Sequence, residues 1–281
     1  MPHMDRRNMM LMAGLGALAA AIPLPQSRAN PANRVSPPAA PAAAGGVAYL
    51  FQDDFDGPQG AAPDPGNWTV QNWQDDVWPP VLGQYDRRNV FLDGNSNLVM
   101  LATHEDDQFF SGKLRGNWRV PMGHTWEARV KFDMTPGLWP SFWAVNEDPL
   151  PDGEVDIFEW YGNGVWPPGT TVHAASNGKT WEGRSIPGLV DSGWHNWRMR
   201  WDENGFKFWR DYVDGANPFF SVPPKPIPVH GNPSDTRWPF NNPGYWLSPM
   251  FTLAVGGPGG GDPAKGGVFP ASMLVDWIRV W

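Results

Sequence analysis

Gly153-Glu154-Val155-Asp156-Ile157-Phe158-Glu159-Trp160 sets three carboxylates among large apolar side chains. Val155, Ile157, Phe158 and Trp160 favour an extended, half-buried strand, in which residues two apart share a face. Glu154 and Asp156 therefore point the same way. Glu159 lies three residues beyond Asp156, so strict alternation turns it to the other face unless one residue bulges out and restores the phase; Ile157 and Phe158 are the candidates. Three acids facing a core would be prohibitively costly to desolvate, whereas a row lining a wet cleft is tolerable.

Two outer glutamates with an aspartate between them suit cleavage of a glycosidic bond. One carboxyl protonates the leaving oxygen while another attacks or stabilises the sugar carbon. The two roles need two pKa values, and a central aspartate raises the proton affinity of a neighbouring acid, here Glu159, while Glu154 stays ionised. After a bulge, Glu154 and Glu159 are spaced like residues four apart, roughly 13 Å between Cα atoms. Retaining chemistry needs carboxyls only about 5 to 5.5 Å apart, so the side chains must lean together over a concave sheet. A solvated acidic edge strand and an oxygen-ligand metal site are the other readings of the same residues.

Around this stretch the chain is β-rich. Trp126, Ala128, Val130 and Phe132 alternate with Glu127, Arg129, Lys131 and Asp133, the period of a strand buried on one face. At the C-terminal end Leu274, Asp276, Ile278 and Val280 alternate with Val275, Trp277, Arg279 and Trp281; both sets are largely apolar, which predicts a strand covered on both faces. No amphipathic helix is predicted. Short strands broken by Gly and Pro turns indicate a sandwich or barrel in one large domain.

The segment 47–281 resembles family 16 of the glycoside hydrolases, and within it the laminarinase (endo-β-1,3-glucanase) branch. The matching pieces are colinear: FQDDFDG (51–57), NVFLDG (89–94), WEARVK (126–131), GLWPSFW (137–143), the acidic stretch, TVH (171–173), AVGG (254–257) and VDWIRV (275–280). The resemblance implies an all-β jelly roll, a β-sandwich of two curved antiparallel sheets with the acids in a concave substrate cleft. It implies Glu154 as nucleophile, Glu159 as general acid/base and Asp156 tuning the pair. Trp139, Trp143, His173 and Asn89 are the implied substrate contacts, with His173 close to the acid/base. No cofactor is implied for catalysis, but a structural Ca2+ is, on the convex side, with Asp276 as carboxylate ligand and backbone near Asp56 and Gly94. The bulged spacing implies the β-1,3-glucan side of the family, since mixed-linkage and xyloglucan relatives usually carry a shorter form. Transglycosylation and a non-catalytic carbohydrate-binding module are the alternatives, and retention of all three acids favours the enzyme.

Charge and composition fit a neutral glycan partner. The 281 residues carry a formal −8; the first 46 contribute +3, leaving −11 for residues 47–281. That balance repels nucleic-acid phosphates and anionic lipid. All 18 tryptophans fall after residue 46, where they serve both core packing and stacking on sugar rings. Residues 1–29 read as an export signal: Arg6 and Arg7 precede an apolar run from Met9 to Ile22, too short for a membrane span, and the paired arginines resemble a twin-arginine signal. Residues 30–46, rich in Pro and Ala, read as a disordered linker. With no cysteine, the exported domain relies on its core rather than on disulfides, and it is expected to be a monomer.

Overall fold

The period-two alternation is realised in long antiparallel strands. The computed structural model describes residues 48–72, 81–146, 153–174, 181–188, 191–229 and 232–281. The readings of residues 1–29 and 30–46 lie outside them, as do Trp73 and Trp78. In chain order the strands are β1 (Phe51–Asp53), β2 (Trp68–Val70), β3 (Gln84–Tyr85), β4 (Val90–Leu92), β5 (Leu98–Glu105), β6 (Gln108–Gly116), β7 (Val120–Pro121), β8 (His124–Phe132), β9 (Leu138–Val145) and β10 (Glu154–Glu159). Then come β11 (Gly169–His173), β12 (Trp181–Ser185), β13 (His195–Asp202), β14 (Gly205–Arg210), β15 (Phe220–Val222), β16 (Ile227–Val229), β17 (Asn232–Arg237), β18 (Trp246–Val255) and β19 (Ala271–Val280). The one α-helix among the described residues is the four-residue turn Gly257–Gly260, and no helix there is long and apolar enough to cross a membrane.

Two antiparallel runs close over one core. In the first, β19 is central: it pairs with β8, β5 and β1, and β8 leads on through β13 and β14 to β15. The second runs β2, β6, β18, β9, β10, β11, β12. Pairing of β5 with β6 joins them at one side, giving the curved jelly roll. Between the runs Trp126, Ala128 and Val130 of β8 and Trp197, Met199 and Trp201 of β13 meet Phe142 of β9, Phe158 of β10 and Phe251 of β18, all fully buried. Phe158 stacks on Phe132 with centroids 5.4 Å apart and lies 4.5 Å from the Trp197 ring, so the acidic strand is bolted to the opposite sheet through one side chain.

The expectations hold with local exceptions. β19 is covered on both faces only from Trp277 to Val280, and its earlier half alternates buried and half-buried. Glu127, on the polar side of β8, is nonetheless 1 % exposed, and it survives burial by pairing with Arg198 Nη2 at 2.7 Å. The segment 223–243 contains the hairpin β16–β17. Pro140 and Pro249 stand inside β9 and β18, each with a register partner on one side only, Leu253 and Ala144 respectively, which is where a missing N–H is tolerated.

β10 departs from ideal geometry at one point, and a threonine accommodates it. Thr170 on β11, fully buried, donates its hydroxyl to the Ile157 carbonyl at 2.9 Å, a side-chain bond at the place where the ladder register shifts. Thr170→Val keeps the shape and deletes the donor, and is expected to cost about 1–3 kcal/mol in urea unfolding. A change under a few tenths of a kcal/mol would show that the Ile157 carbonyl does not depend on this hydroxyl.

Candidate active site

β10 lies between β9 and β11, which excludes the solvated-edge reading. On the β9 side Glu154 faces Val145, Asp156 faces Trp143, Phe158 faces Phe142 and Glu159 faces Ser141; Ile157 has no partner and is the bulge. On the β11 side the three acids face His173, Thr171 and Gly169 in turn. Each step between acids therefore matches two residues on the neighbouring strands, and one inserted residue brings Glu159 onto the face of Glu154 and Asp156 while Val155 and Phe158 enter the core. Ala254, Thr252, Met250 and Ser248 of β18 and Lys113 and Arg115 of β6 continue the same face by register.

The three carboxyls have different neighbours. One oxygen each of Glu154 and Asp156 and a ring nitrogen of His173 lie within 4.8 Å of one another. His173 Nε2 is 3.3 Å from Asp156 Oδ2 and 3.9 Å from Glu154 Oε1. The imidazole thus sits against the first two acids, because register sets it opposite Glu154, and it is near enough to Glu159 to act on its charge. Glu159, 9 % exposed, is held at both oxygens: Trp139 Nε1–H donates to Oε1 at 2.9 Å and the Tyr161 hydroxyl to Oε2 at 2.5 Å.

Burial is the first cause of the proton affinities here, with the like charge of Asp156 second. Together they push Glu159 up to about 8, against the pull of the Tyr161 and Trp139 hydrogen bonds and of His173. They also raise Glu154 well above the usual carboxylate range, and there Lys113 opposes them. The sequence assigned the tuning to Asp156 alone; desolvation by the surrounding strands is the larger part. Lys113 Nζ lies 5.5 Å from the ring centres of both Trp143 and Tyr85, which places a cation on the Glu154 side of the cleft and indole and phenol donors on the Glu159 side. The proton affinities of both outer glutamates are therefore raised, against the expectation that Glu154 stays ionised; Lys113 is the group that favours the charged form of Glu154, and Glu159 offers a proton donor at neutral pH.

The remaining sequence-derived residues divide. Trp143 belongs to the site, its Nε1–H donating to Thr252 Oγ1 at 2.9 Å and its position set opposite Asp156. Trp139 is an anchor for Glu159, with one face covered: a Cβ on Gly259 would come within 2.3 Å of its ring. Asn89 is 3 % exposed, and its amide donates to the Leu101 carbonyl at 2.8 Å and to Thr103 Oγ1 at 3.3 Å, which ties the turn before β4 to β5. The residues implied for calcium have side-chain partners and packing of their own in the structure. Asp276 Oδ2 accepts from Arg129 Nη1, so a guanidinium already neutralises that carboxylate, Asp56 Oδ1 accepts from Ser96 at 2.6 Å, and Gly94 at φ 79° makes a turn packed on Gln59. Tyr161 and Lys113 went unread. Tyr161 is two residues past Glu159, the spacing of a shared face; Lys113 has no local signal, since β6 reaches the cleft only through β18 and β9.

Comparison with known proteins agrees with this geometry. Residues 84–219 match the family described as Glycosyl hydrolases family 16. A Mycobacterium tuberculosis protein, whose structure is described as that of an immunostimulatory antigen and pseudo β-1,3-glucanase, is 51% identical with a TM-score of 0.76, over 84% of this chain and 99% of that one. A β-1,3-glucanase from Mycobacterium marinum is 51% identical with a TM-score of 0.74 over the same shares. A β-glucanase of Rhodothermus marinus is 26% identical over 254 residues, 83% of this chain and 84% of that protein.

Two measurements test the electrostatics. Because Glu159 is raised from 4.5 to about 8 on folding, the native protein holds more protons than the unfolded chain between those values, and its stability falls as pH rises through that window. The stability of Glu159→Gln relative to wild type is therefore expected to grow from pH 5 to pH 8 by up to about 1.4 kcal/mol per unit; a difference independent of pH would mean that Glu159 is ionised throughout. Second, with Arg129 on Asp276, chelation is expected to leave the melting temperature unchanged. A fall of several degrees reversed by added calcium would restore an ion to that position.

Proposed function

The chain belongs to family 16 of the glycosyl hydrolases, and on that premise we propose that it is a retaining endo-β-glucanase acting on β-1,3-linked glucan. The observation that carries the proposal is the bulge at Ile157, which aligns Glu154, Asp156 and Glu159 on one face of an interior strand. Glu159 stands as the general acid, since burial and Asp156 keep its proton in the neutral range. It protonates the glycosidic oxygen while Glu154, with Lys113 favouring its charged form, attacks the anomeric carbon. Glu159, now ionised, removes a proton from the water that releases the sugar. Asp156, contacted by His173, separates the two glutamates in charge and in space. The printed names of the Mycobacterium marinum and Rhodothermus marinus relatives support a β-glucan substrate, and the bulged spacing supports the β-1,3 side. The basic and apolar run at residues 6–22 supports export by a twin-arginine route.

A second reading has its own observation. The equally similar Mycobacterium tuberculosis protein is described as a pseudo β-1,3-glucanase, so glycan binding without turnover is the competing activity. Incubation with laminarin decides between them: the hydrolase releases a ladder of oligosaccharides, the binding module none. Roles follow from rescue. With Glu159→Ala and an activated glycosyl fluoride or aryl glycoside, azide is expected to give the β-glycosyl azide by attack on the glycosyl-enzyme. With Glu154→Ala it is expected to give the α-azide by direct displacement. Exchange of the two anomers would exchange the roles, and rescue of neither, in folded proteins, would remove the covalent mechanism.

A further inference from the structure

Glu159 is gripped by two donors of unlike kind. An indole N–H can only donate, so the bond from Trp139 Nε1 to Oε1 exists in one direction whatever the state of the carboxyl. A phenol can donate or accept. Tyr161, 2.5 Å from Oε2, is thus the only reversible member of the pair: it donates to the carboxylate, and it accepts when the carboxyl holds its proton on Oε2. Burial and the neighbouring Glu159 push the Tyr161 hydroxyl far above its ordinary range, so it never ionises and remains available for either direction.

The phenol is fixed from several sides. Its ring meets Trp166 edge-on at 5.3 Å and Trp139 at 6.0 Å. The backbone around it is tied to the sheet, with Trp160 N–H bonded to the Pro140 carbonyl at 3.1 Å and Gly162 N–H to the Leu138 carbonyl at 2.9 Å. Asn163 next in line accepts from the Val165 and Trp166 amides at 2.8 and 3.0 Å and donates to the Pro258 carbonyl at 2.8 Å. A hydroxyl held this firmly, and aimed at one oxygen of a buried acid, has a task beyond filling space.

We infer that Tyr161 is a positioning residue for the acid/base: with Trp139 it locks the plane of the Glu159 carboxyl, and by reversing its own hydrogen bond it lets Glu159 alternate between acid and carboxylate without moving. The inference rests on the reading of Glu159 as acid/base. The two halves of a double displacement need these two states in succession, and a clamp of two fixed donors would serve only the ionised one. The charged and titratable groups facing Glu159 and Tyr161 are Asp156 and Glu154 on β10 and His173 on β11. His173 contacts Asp156 and Glu154, whereas Trp139 and Tyr161 bond the two carboxyl oxygens of Glu159 directly, and of these two donors only Tyr161 can reverse its bond.

Tyr161→Phe keeps the ring and its contacts with Trp139 and Trp166 and removes only the hydroxyl. Loss of a donor to the carboxylate is expected to raise the Glu159 titration, followed by carboxyl 13C NMR on the intact protein, by about one unit. The basic limb of the pH profile is expected to move up with it. Hydrolysis of laminarin, whose leaving group needs a proton, should fall about tenfold, while an activated aryl glycoside, which needs none, should change less than about threefold. An unmoved titration, or equal losses on both substrates, would overturn the inference. The titration stands apart from turnover: if the wild type hydrolyses no glucan yet its Glu159 titration rises with Tyr161→Phe, the clamp is retained and the hydrolase reading is lost. If the variant does not fold, the wild type still decides, since a Tyr161 hydroxyl proton that fails to shift as Glu159 titrates also overturns the inference.

Discussion

One inserted residue in one strand governs this molecule. Had β10 kept strict alternation, Glu159 would point into the core against Phe132 and Trp197, and Phe158 would lie in the cleft. The bulge at Ile157 reverses both assignments at once. It also sets how far the acids stand from one another along the strand, hence their mutual repulsion. The Thr170 hydroxyl on the Ile157 carbonyl and the Phe158 ring against the opposite sheet are what hold so irregular a strand in the interior of a sheet.

From that placement follows a conflict that the surroundings resolve. Strands on both sides exclude water from carboxyls that repel one another, and both effects favour protons on Glu154 and Glu159. The counterweights differ at the two ends. Lysine acts on Glu154 through its charge, from a strand three places away in the sheet, whereas two hydrogen-bond donors act on Glu159 directly. A charge at a distance biases an acid toward ionisation without occupying its oxygens, and so leaves Glu154 free to make a bond to carbon. Direct donors fix geometry, which a proton-transferring group needs more. The asymmetry between the two glutamates thus lies in the kind of neighbour as much as in the extent of burial.

Elsewhere the same principle of local neutralisation recurs. Buried Glu127 on β8 pairs with Arg198, its register partner on β13, whose guanidinium lies 3.8 Å from the centre of the Tyr212 ring, and Arg279 reaches Asp54 while bonding the Asp53 carbonyl. Asp276 with Arg129 belongs to this set. The charged residues of β8 and β19 pair across the sheet, and a carboxylate with such a partner has little left to offer a cation.

Much of this was legible in the residues themselves. Alternation fixed the faces of β8 and the need for a bulge near Ile157, because the side-chain direction of a strand depends only on the adjacent peptide units. For the same reason the shared face of Glu154, Asp156 and Glu159, and the neighbouring Trp143, could be read before any fold was known. Periodicity is silent about partners. Whether Asp276 meets calcium or an arginine 147 residues earlier, whether Asn89 faces sugar or the Leu101 carbonyl, and which strand brings a lysine to Glu154 depend on how distant strands are ordered in the sheets. Even Tyr161, close in sequence, was visible only as a residue of the right phase; that its hydroxyl ends on Glu159 required the turn after β10 to be tied to β9. The sequence by itself determined which side chains share a surface, through the local geometry of the chain, and the tertiary structure decided which atoms meet on it, since contact between residues far apart is set by packing of the whole sheet.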